Sequence, residues 1–110
     1  MDLFLYYIKK LLTSLYRDIM NLEVKVMPIL SRFYGIIIKM YFQQSEHNPP
    51  HIHAIYGEYA AAISINNFKV LEGDLPNKAI SLVVEWMSIH QEELLNMWNT
   101  QKFKPVAPLE

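Results

Sequence analysis

Two β-prone runs flank a two-residue turn at Gly57-Glu58, and this turn is the feature that most limits how the chain can fold. A two-residue loop with glycine first is typical of a type II′ β-hairpin, whose geometry determines which residues of the two strands pair. The sequence therefore predicts antiparallel strands at His51–Tyr56 and Tyr59–Ile65. The predicted pairs, from the turn outward, are Tyr56 with Tyr59, Ile55 with Ala60, Ala54 with Ala61, His53 with Ala62, Ile52 with Ile63 and His51 with Ser64.

Alternation along the first strand separates a core face from a histidine face. Residues two apart in a strand point to the same side of the sheet, so His51 and His53 are expected side by side, roughly 6–7 Å apart at their Cα atoms. Ile52, Tyr56 and Ile63 make the better core face. The histidines then face only small side chains of the opposite strand, which leaves room for a ligand, another layer of protein or water.

The segment from His47 to His53 is the most unusual stretch, because it holds three of the four histidines around two adjacent prolines. Proline has a fixed φ and no backbone N–H, so Pro49 and Pro50 cannot lie inside a paired strand and instead form a stiff approach to it. Neutral imidazoles bind zinc, nickel, copper and iron. The segment therefore predicts a metal site formed by His47, His51 and His53, with a divalent transition metal such as zinc as the candidate cofactor.

Other interpretations of these histidines stay open. Glu46, Glu58 and His90 are further candidates for completing a set of metal ligands. The alternative is that His51 and His53 are structural or surface residues, since nothing in the sequence supplies the hydrogen-bond partners that orient metal-bound imidazoles. No catalytic residue is predicted, because the chain has no nucleophile signature and only three glycines, too few for a phosphate-binding loop.

Strands are also predicted on both sides of the hairpin. The run Ile36–Phe42 alternates like a strand, and Gly35 before it indicates a bend or a bulge. Phe68–Glu72 is predicted as a further strand after a turn at Asn66-Asn67. Gly73-Asp74 is expected to end that strand, with the aspartate as a cap of the following helix.

Two amphipathic helices are predicted at the ends of the chain. Residues 2–22 repeat apolar side chains at helical spacing, and their polar face mixes positive and negative charges, which argues against a membrane-surface helix. Residues 76–100 carry a second apolar stripe with one polar member. That stripe consists of Ile80, Val83, Val84, Met87, Gln91, Leu94, Leu95 and Trp98.

These elements predict an α+β fold, with a small antiparallel sheet of about four strands packed on one long C-terminal helix and an extra N-terminal amphipathic helix. The predicted organisation is an N-terminal extension at residues 1–26, a single domain at 27–100 and an extended tail at 101–110. Met27 is an alternative start of the protein, which would make residues 1–26 an upstream extension.

Composition and charge narrow the classes of function. The net charge is −1, so no bulk positive field favours nucleic acid. The chain has no cysteine, which removes disulfides and thiolate zinc sites and is typical of a reducing compartment, so a cytoplasmic location is expected. No apolar run reaches the roughly 18 residues that a membrane span needs.

Several motifs of the chain occur together in the same order in one known family. They are Met-Pro-Ile-Leu-Ser-Arg-Phe-Tyr-Gly-Ile-Ile-Ile-Lys-Met-Tyr-Phe (27–42), His-Asn-Pro-Pro-His-Ile-His (47–53), Tyr-Gly-Glu-Tyr (56–59), Leu-Glu-Gly-Asp-Leu-Pro (71–76) and Glu-Trp (85–86). From Met27 to about Trp98 the chain resembles the bacterial "domain of unknown function 4160" family. The resemblance implies a short bacterial protein, often encoded beside a small partner in a layout similar to toxin–antitoxin pairs. It implies no activity and no catalytic residues.

Two hypotheses from different classes account for these features. The first is a regulatory or accessory binding protein that acts with a small protein partner or forms a homo-oligomer, since a small sheet backed by one helix leaves a face and edges to be covered. The second is a metal-dependent enzyme, a hydrolase or nuclease, centred on His47, His51 and His53. A co-purifying partner would favour the first hypothesis, and stoichiometric metal that is lost on histidine mutation would favour the second.

Overall fold

The computed structural model describes residue 8 and residues 28–41 and 49–110. In this part of the chain an antiparallel sheet of five strands, with neighbouring strands in sequence order, is followed by one helix. The elements are β1 (Ile29–Phe33), β2 (Ile36–Lys39), β3 (His51–Tyr56), β4 (Tyr59–Ser64), β5 (Val70–Asp74) and α1 (Asn77–Thr100). The predicted α+β class, an antiparallel sheet with one long C-terminal helix, is confirmed. The predicted helix at residues 2–22 lies, apart from residue 8, outside the described residues.

The β3–β4 hairpin has the register that its turn predicts. The six pairs run from Tyr56 opposite Tyr59 at the turn to His51 opposite Ser64 at the open end. Gly57 has a positive φ of 59°, as the first position of a type II′ turn requires. Because the turn determines this register, alternation then assigns each side chain of the hairpin to one face of the sheet.

The sheet has five strands where four were predicted, because β1 was missed. β1 joins β2 through Tyr34 and Gly35, whose φ values of 50° and 81° are both positive, the pattern of a type I′ turn. Gly35 therefore belongs to a hairpin turn that precedes β2. A bulge between Ile29 and Ser31 interrupts β1, so its buried and exposed residues do not alternate. A search for alternating apolar and polar residues therefore misses this strand.

The prediction for β5 was wrong at both ends. Phe68 was expected to begin the strand, but its φ of 61° and its N–H bond to the carbonyl oxygen of Ser64 place it in the turn. Gly73 was expected to end the strand, but it pairs with Ala61 and β5 continues to Asp74. The aspartate does not cap the helix, because Pro76 occupies the N-cap position and no side chain caps it.

The core lies between one face of the sheet and α1. Ile38, Ile52, Ala54 and Ile63 are fully buried in this layer, whereas Tyr56, which was expected in the core, is 39% exposed. The buried residues of α1 are Ala79, Val83, Trp86, Met87, Leu94, Met97 and Trp98. This stripe includes three residues outside the predicted one, Ala79, Trp86 and Met97, and Ile80, Val84 and Leu95 are only half-buried.

α1 has a kink at His90, whose angles, φ −110° and ψ 16°, are non-helical. The buried residues keep spacings of three and four across the kink, so it does not account for the difference between the predicted and observed stripes. Next to the kink, the side-chain amide of Gln91 donates to the carbonyl oxygens of Ile65 and Asn66, at 2.8 and 3.3 Å. The one polar member of the predicted stripe thus joins the helix to the β4–β5 turn.

The C-terminal segment returns along β1. The backbone N–H of Val106 donates to the carbonyl oxygen of Leu30 at 2.7 Å, and Val106 is buried. The indole N–H of Trp86 donates to the carbonyl oxygen of Ala107 at 2.8 Å. This segment therefore covers part of the β1 edge and ties it to the helix. Among the described residues, no helix combines the length and apolar character needed to cross a membrane.

Candidate functional site

His51 and His53 lie on the face of β3 opposite the core. The residues between and after them, Ile52 and Ala54, are fully buried, whereas the two histidines are half-buried. Their ring centroids are 5.0 Å apart and the ring planes meet at 71°. Strand alternation thus brings the two imidazoles into contact on one side of the sheet.

The two imidazoles belong to a row of four rings, Tyr41–His53–His51–Trp98. Tyr41 stacks on His53 with centroids 4.3 Å apart and planes 25° apart. At the other end, the Trp98 ring lies 5.0 Å from that of His51. Tyr41 follows β2 and Trp98 comes from the last turns of α1, so the row joins three separate segments of the chain, and two of them hold the histidine rings of β3 in place.

A local hydrogen bond orients the ring of His51. Its Nδ1 atom lies 2.8 Å from the carbonyl oxygen of Pro49. A carbonyl oxygen can only accept, so Nδ1 carries the hydrogen and Nε2 carries the lone pair when the imidazole is neutral. A backbone carbonyl bound to the far ring nitrogen is the usual arrangement behind a metal-binding histidine. The proline segment therefore supplies the orienting partner that the sequence did not reveal.

His53 is held in its neutral form. Burial lowers the pKa of His53 to about 4, with smaller contributions from the nearby charges of His51 and Lys39. Burial has this effect because a half-buried imidazolium loses hydration that the neutral ring does not need. At neutral pH the ring of His53 is therefore an uncharged aromatic surface with one free lone pair.

The lowered pKa of His53 predicts a loss of stability in acid. The folded state binds this proton near pH 4 and the unfolded state near pH 6.5. In this window the unfolded state binds more protons, so stability falls as pH drops from 6.5 to 4. One pKa unit corresponds to about 1.4 kcal/mol, and solvent screening of a half-buried ring reduces the expected total to roughly 1 kcal/mol at pH 4.5.

Urea unfolding of the wild type and of His53→Gln at pH 7.5 and pH 4.5, with a chelator present, tests this expectation. The wild type should lose more stability between the two pH values than the variant does. The groups around His53 are His51 on its own strand, Lys39 on β2 and Glu72 on β5, and they are present in both proteins. Equal losses in the two proteins would show that His53 does not titrate between these pH values.

Two shallow depressions lie beside the histidines and share His53, Ala62 and Glu72. The first has a volume of about 290 Å³ and extends over Ala60 toward Gly73. The second, of about 200 Å³, is lined by Pro49, His51, His53, Ala62, Leu71 and Glu72. The small side chains of β4 leave this space, and one carboxylate and two imidazoles border it.

The structure brings together only part of the predicted metal set. His47 lies outside the described residues, as does Glu46, so a site with three histidines stays a prediction. Glu58 is in the turn at the far end of β3 from His51, and His90 contacts Trp86 and pairs with Glu93 at 3.1 Å. Within residues 28–41 and 49–110, no three histidine, aspartate or glutamate side chains form a group that could hold a metal ion.

Tyr41, Glu72 and Trp98 border the histidines, and sequence reasoning did not assign them to this site. A signal for Tyr41 was present, because it shares a strand face with Lys39, which pairs with His53. Placing Tyr41 beside His53 from the sequence requires the register between β2 and β3, and no tight turn between these strands determines that register. Glu72 depended on the β4–β5 register, which contains a bulge, and Trp98 depended on the path of the helix after its kink.

A family model described as "Domain of unknown function (DUF4160)" matches residues 35–99, more than half of the chain. The chain belongs to this family. The match begins at the β1–β2 turn and ends in the last turn of α1, so it contains both histidines of the site. No curated protein matches the chain, and no solved structure matches it. The DUF4160 description assigns no activity.

Proposed function

We propose that this DUF4160 protein is a regulatory or accessory binding protein whose open sheet face binds a small protein partner. The open face includes Lys39 of β2, His51, His53 and Ile55 of β3, Ala60 of β4 and Glu72 and Asp74 of β5. Ala62 and Ser64 lie on the same side of the sheet but are buried. The observation that carries the proposal is that α1 packs on the opposite face. In the described part of the chain, Tyr41 and Trp98 place their rings against the histidines at the border of this second face.

The centre of the open face is built for close approach. Ala60 and Ala62 project no side chain beyond Cβ, and the depression above them is about 290 Å³ in volume. A partner side chain can therefore come near the sheet backbone there. The half-buried histidines and Tyr41 form one border of this centre, and aromatic rings of this kind contribute strongly to protein interfaces.

The charges on the open face have opposite signs. Lys39 lies on β2, on one side of the histidines, and Glu72 lies on β5, on the other side. Neither charge forms an ion pair with another residue of the described ranges. A partner with complementary charges would thus be oriented along the sheet, which favours a specific protein over a uniformly charged polymer such as nucleic acid.

The β5 edge extends the same surface. All five residues of β5 are exposed, and Val70 and Leu71 are 40% and 46% exposed. The β1 edge differs, because the C-terminal segment bonds to it at Leu30. An open strand edge offers unpaired backbone groups to a strand of a partner, and natural proteins usually cover such edges. The partner is a small protein or a second copy of this chain.

Co-expression with the protein encoded by the neighbouring gene tests the proposal, because the family resemblance implies such a partner. The partner carries the affinity tag, and the retained amount of this chain is measured. Ala60→Arg places a long charged side chain in the depression and should weaken retention at least about tenfold. Ser81→Arg adds the same side chain on the exposed surface of α1 and should leave retention unchanged.

The outcomes test the location of the interface and the identity of the partner separately. Equal retention of both variants would show that the open face is not the interface. If the wild type is not retained, sedimentation of the protein alone tests the homo-oligomer, which Ala60→Arg should dissociate and Ser81→Arg should not. A wild type that is monomeric and binds no neighbouring protein would overturn the proposal.

A metal-dependent enzyme, either a hydrolase or a nuclease, is the second candidate function. The observation that favours it is the hydrogen bond from His51 Nδ1 to the carbonyl oxygen of Pro49, which leaves Nε2 with the lone pair of the neutral ring. Catalysis of this kind requires a bound ion with an open coordination position. Metal binding is therefore the first property that this candidate has to meet.

A further inference from the structure

His51 and His53 have the separation that two imidazoles on one metal ion require. A metal–nitrogen distance of about 2.0–2.1 Å, with about 1.1 Å more to the ring centre, puts each centroid roughly 3.2 Å from the ion. Two rings at roughly 90–110° around the ion then have centroids roughly 4.5–5.2 Å apart. The observed separation of the centroids is 5.0 Å, so both rings fit one ion without any movement of the strand.

Both histidines line the same depression, and each neutral ring has one nitrogen with a lone pair. His51 uses Nδ1 to bond the carbonyl oxygen of Pro49, which leaves Nε2 as its donor atom toward a metal. Within the described residues, the ring of His53 makes ring contacts but forms no hydrogen bond. The two rings line one depression of about 200 Å³ that is open to solvent, so an ion and its waters can enter.

The surroundings hold the two rings in place before any ion arrives. Tyr41 stacks on His53 and Trp98 packs against His51, so the rings are confined from both ends of the row. Glu72 borders the same depression and adds a negative charge beside it. Preorganised ligands bind more tightly than mobile ones, because less side-chain entropy is lost when the ion binds.

We infer that His51 and His53 form a two-imidazole site for a late first-row divalent transition-metal ion, in which water fills the remaining coordination positions. Imidazole nitrogen is a ligand for copper, nickel and zinc, whereas magnesium and calcium prefer oxygen. The site needs no third protein ligand from the described residues. It lies at the border of the open face proposed for partner binding, but its test uses the chain alone, so a failure of partner binding and a failure of metal binding are distinguishable.

Copper(II) is the probe for this site, because it binds nitrogen ligands most tightly among these ions. Titration calorimetry of the full chain without a histidine tag should show one ion bound per chain. His51→Ala and His53→Ala should each weaken binding at least about tenfold. His90→Ala removes a histidine that pairs with Glu93 on α1, and it should bind copper like the wild type. Circular dichroism melting without metal verifies that each variant is folded.

Electron paramagnetic resonance of the copper-loaded wild type gives a measurement that needs no variant. The nitrogen hyperfine pattern should correspond to two equivalent imidazole nitrogens. The inference is overturned if no saturable binding occurs at millimolar copper, if the spectrum shows no imidazole nitrogen, or if His51→Ala and His53→Ala bind copper as the wild type does. Loss of binding in His90→Ala alone would place the ion elsewhere and would also overturn it.

Discussion

Replacing Trp86 with alanine is expected to lower the free energy of unfolding by about 3–5 kcal/mol, the usual cost of deleting a large buried aromatic side chain. Trp86 is fully buried, and its ring lies 5.6 Å from that of Phe33, which joins β1 to the helix. Its indole N–H also bonds the carbonyl oxygen of Ala107. The substitution therefore opens a cavity and leaves an acceptor unpaired.

Urea unfolding followed by circular dichroism measures this effect, and two variants control for it. Ile89→Ala changes a residue of the same helix that is 63% exposed, so its free energy of unfolding should stay within about 0.5 kcal/mol of the wild type. Trp86→Phe keeps one aromatic ring in the core but removes the N–H donor and part of the indole, so its loss should be smaller than that of Trp86→Ala. A Trp86→Ala protein as stable as Ile89→Ala would show that the assigned core face of α1 is wrong.

The elements that the sequence predicted correctly are those determined by residues close together along the chain. The Gly57-Glu58 turn determines all six pairs of the hairpin, and those pairs place both histidines on one face. The length and apolar spacing of α1 likewise lie within one segment of the chain. Local turn geometry and helical periodicity are strong enough here that tertiary packing does not override them.

The missed parts depend on irregular backbone. Because of the bulge in β1, the neighbouring residues Leu30 and Ser31 are both buried, so buried and exposed side chains do not alternate along the strand. The positive φ of Phe68 moves the start of β5. The residue types at these positions do not predict these conformations. Phe68, for example, has a positive φ, although a positive φ has a steric cost for residues other than glycine.

The candidate site likewise has one part that the sequence predicts and another part that it does not. The His51–His53 pair follows from alternation within one strand, so the sequence predicts it. Tyr41 and Trp98 join that pair from other segments, and their contacts depend on the β2–β3 register and on the course of the helix. A single sequence contains no direct record of such contacts between distant segments, which is why the ring row became visible only in three dimensions.

Gly73→Ala is expected to be among the most destabilising substitutions on the sheet, at roughly 2–5 kcal/mol. Gly73 has a φ of 81°, and a left-handed conformation costs a non-glycine residue roughly 1–2 kcal/mol. An added Cβ would also lie 2.2 Å from the carbonyl oxygen of Ala60 and 3.0 Å from the Cα of Ala61, both in the backbone of β4. Relieving such overlap forces the β4–β5 pair apart, for which overpacking costs of about 1–3 kcal/mol are typical.

Gly57→Ala is the matched control for this steric argument. Gly57 also has a positive φ, 59°, but an added Cβ there meets no atom within 4 Å. It should therefore lose only the conformational part, roughly 1–2 kcal/mol. Unfolding free energies of both variants measure the difference, which is the cost of the contact with Ala60. Equal losses would mean that β5 moves away freely, and the β5 edge would then be a loosely attached strand that an incoming partner strand could displace.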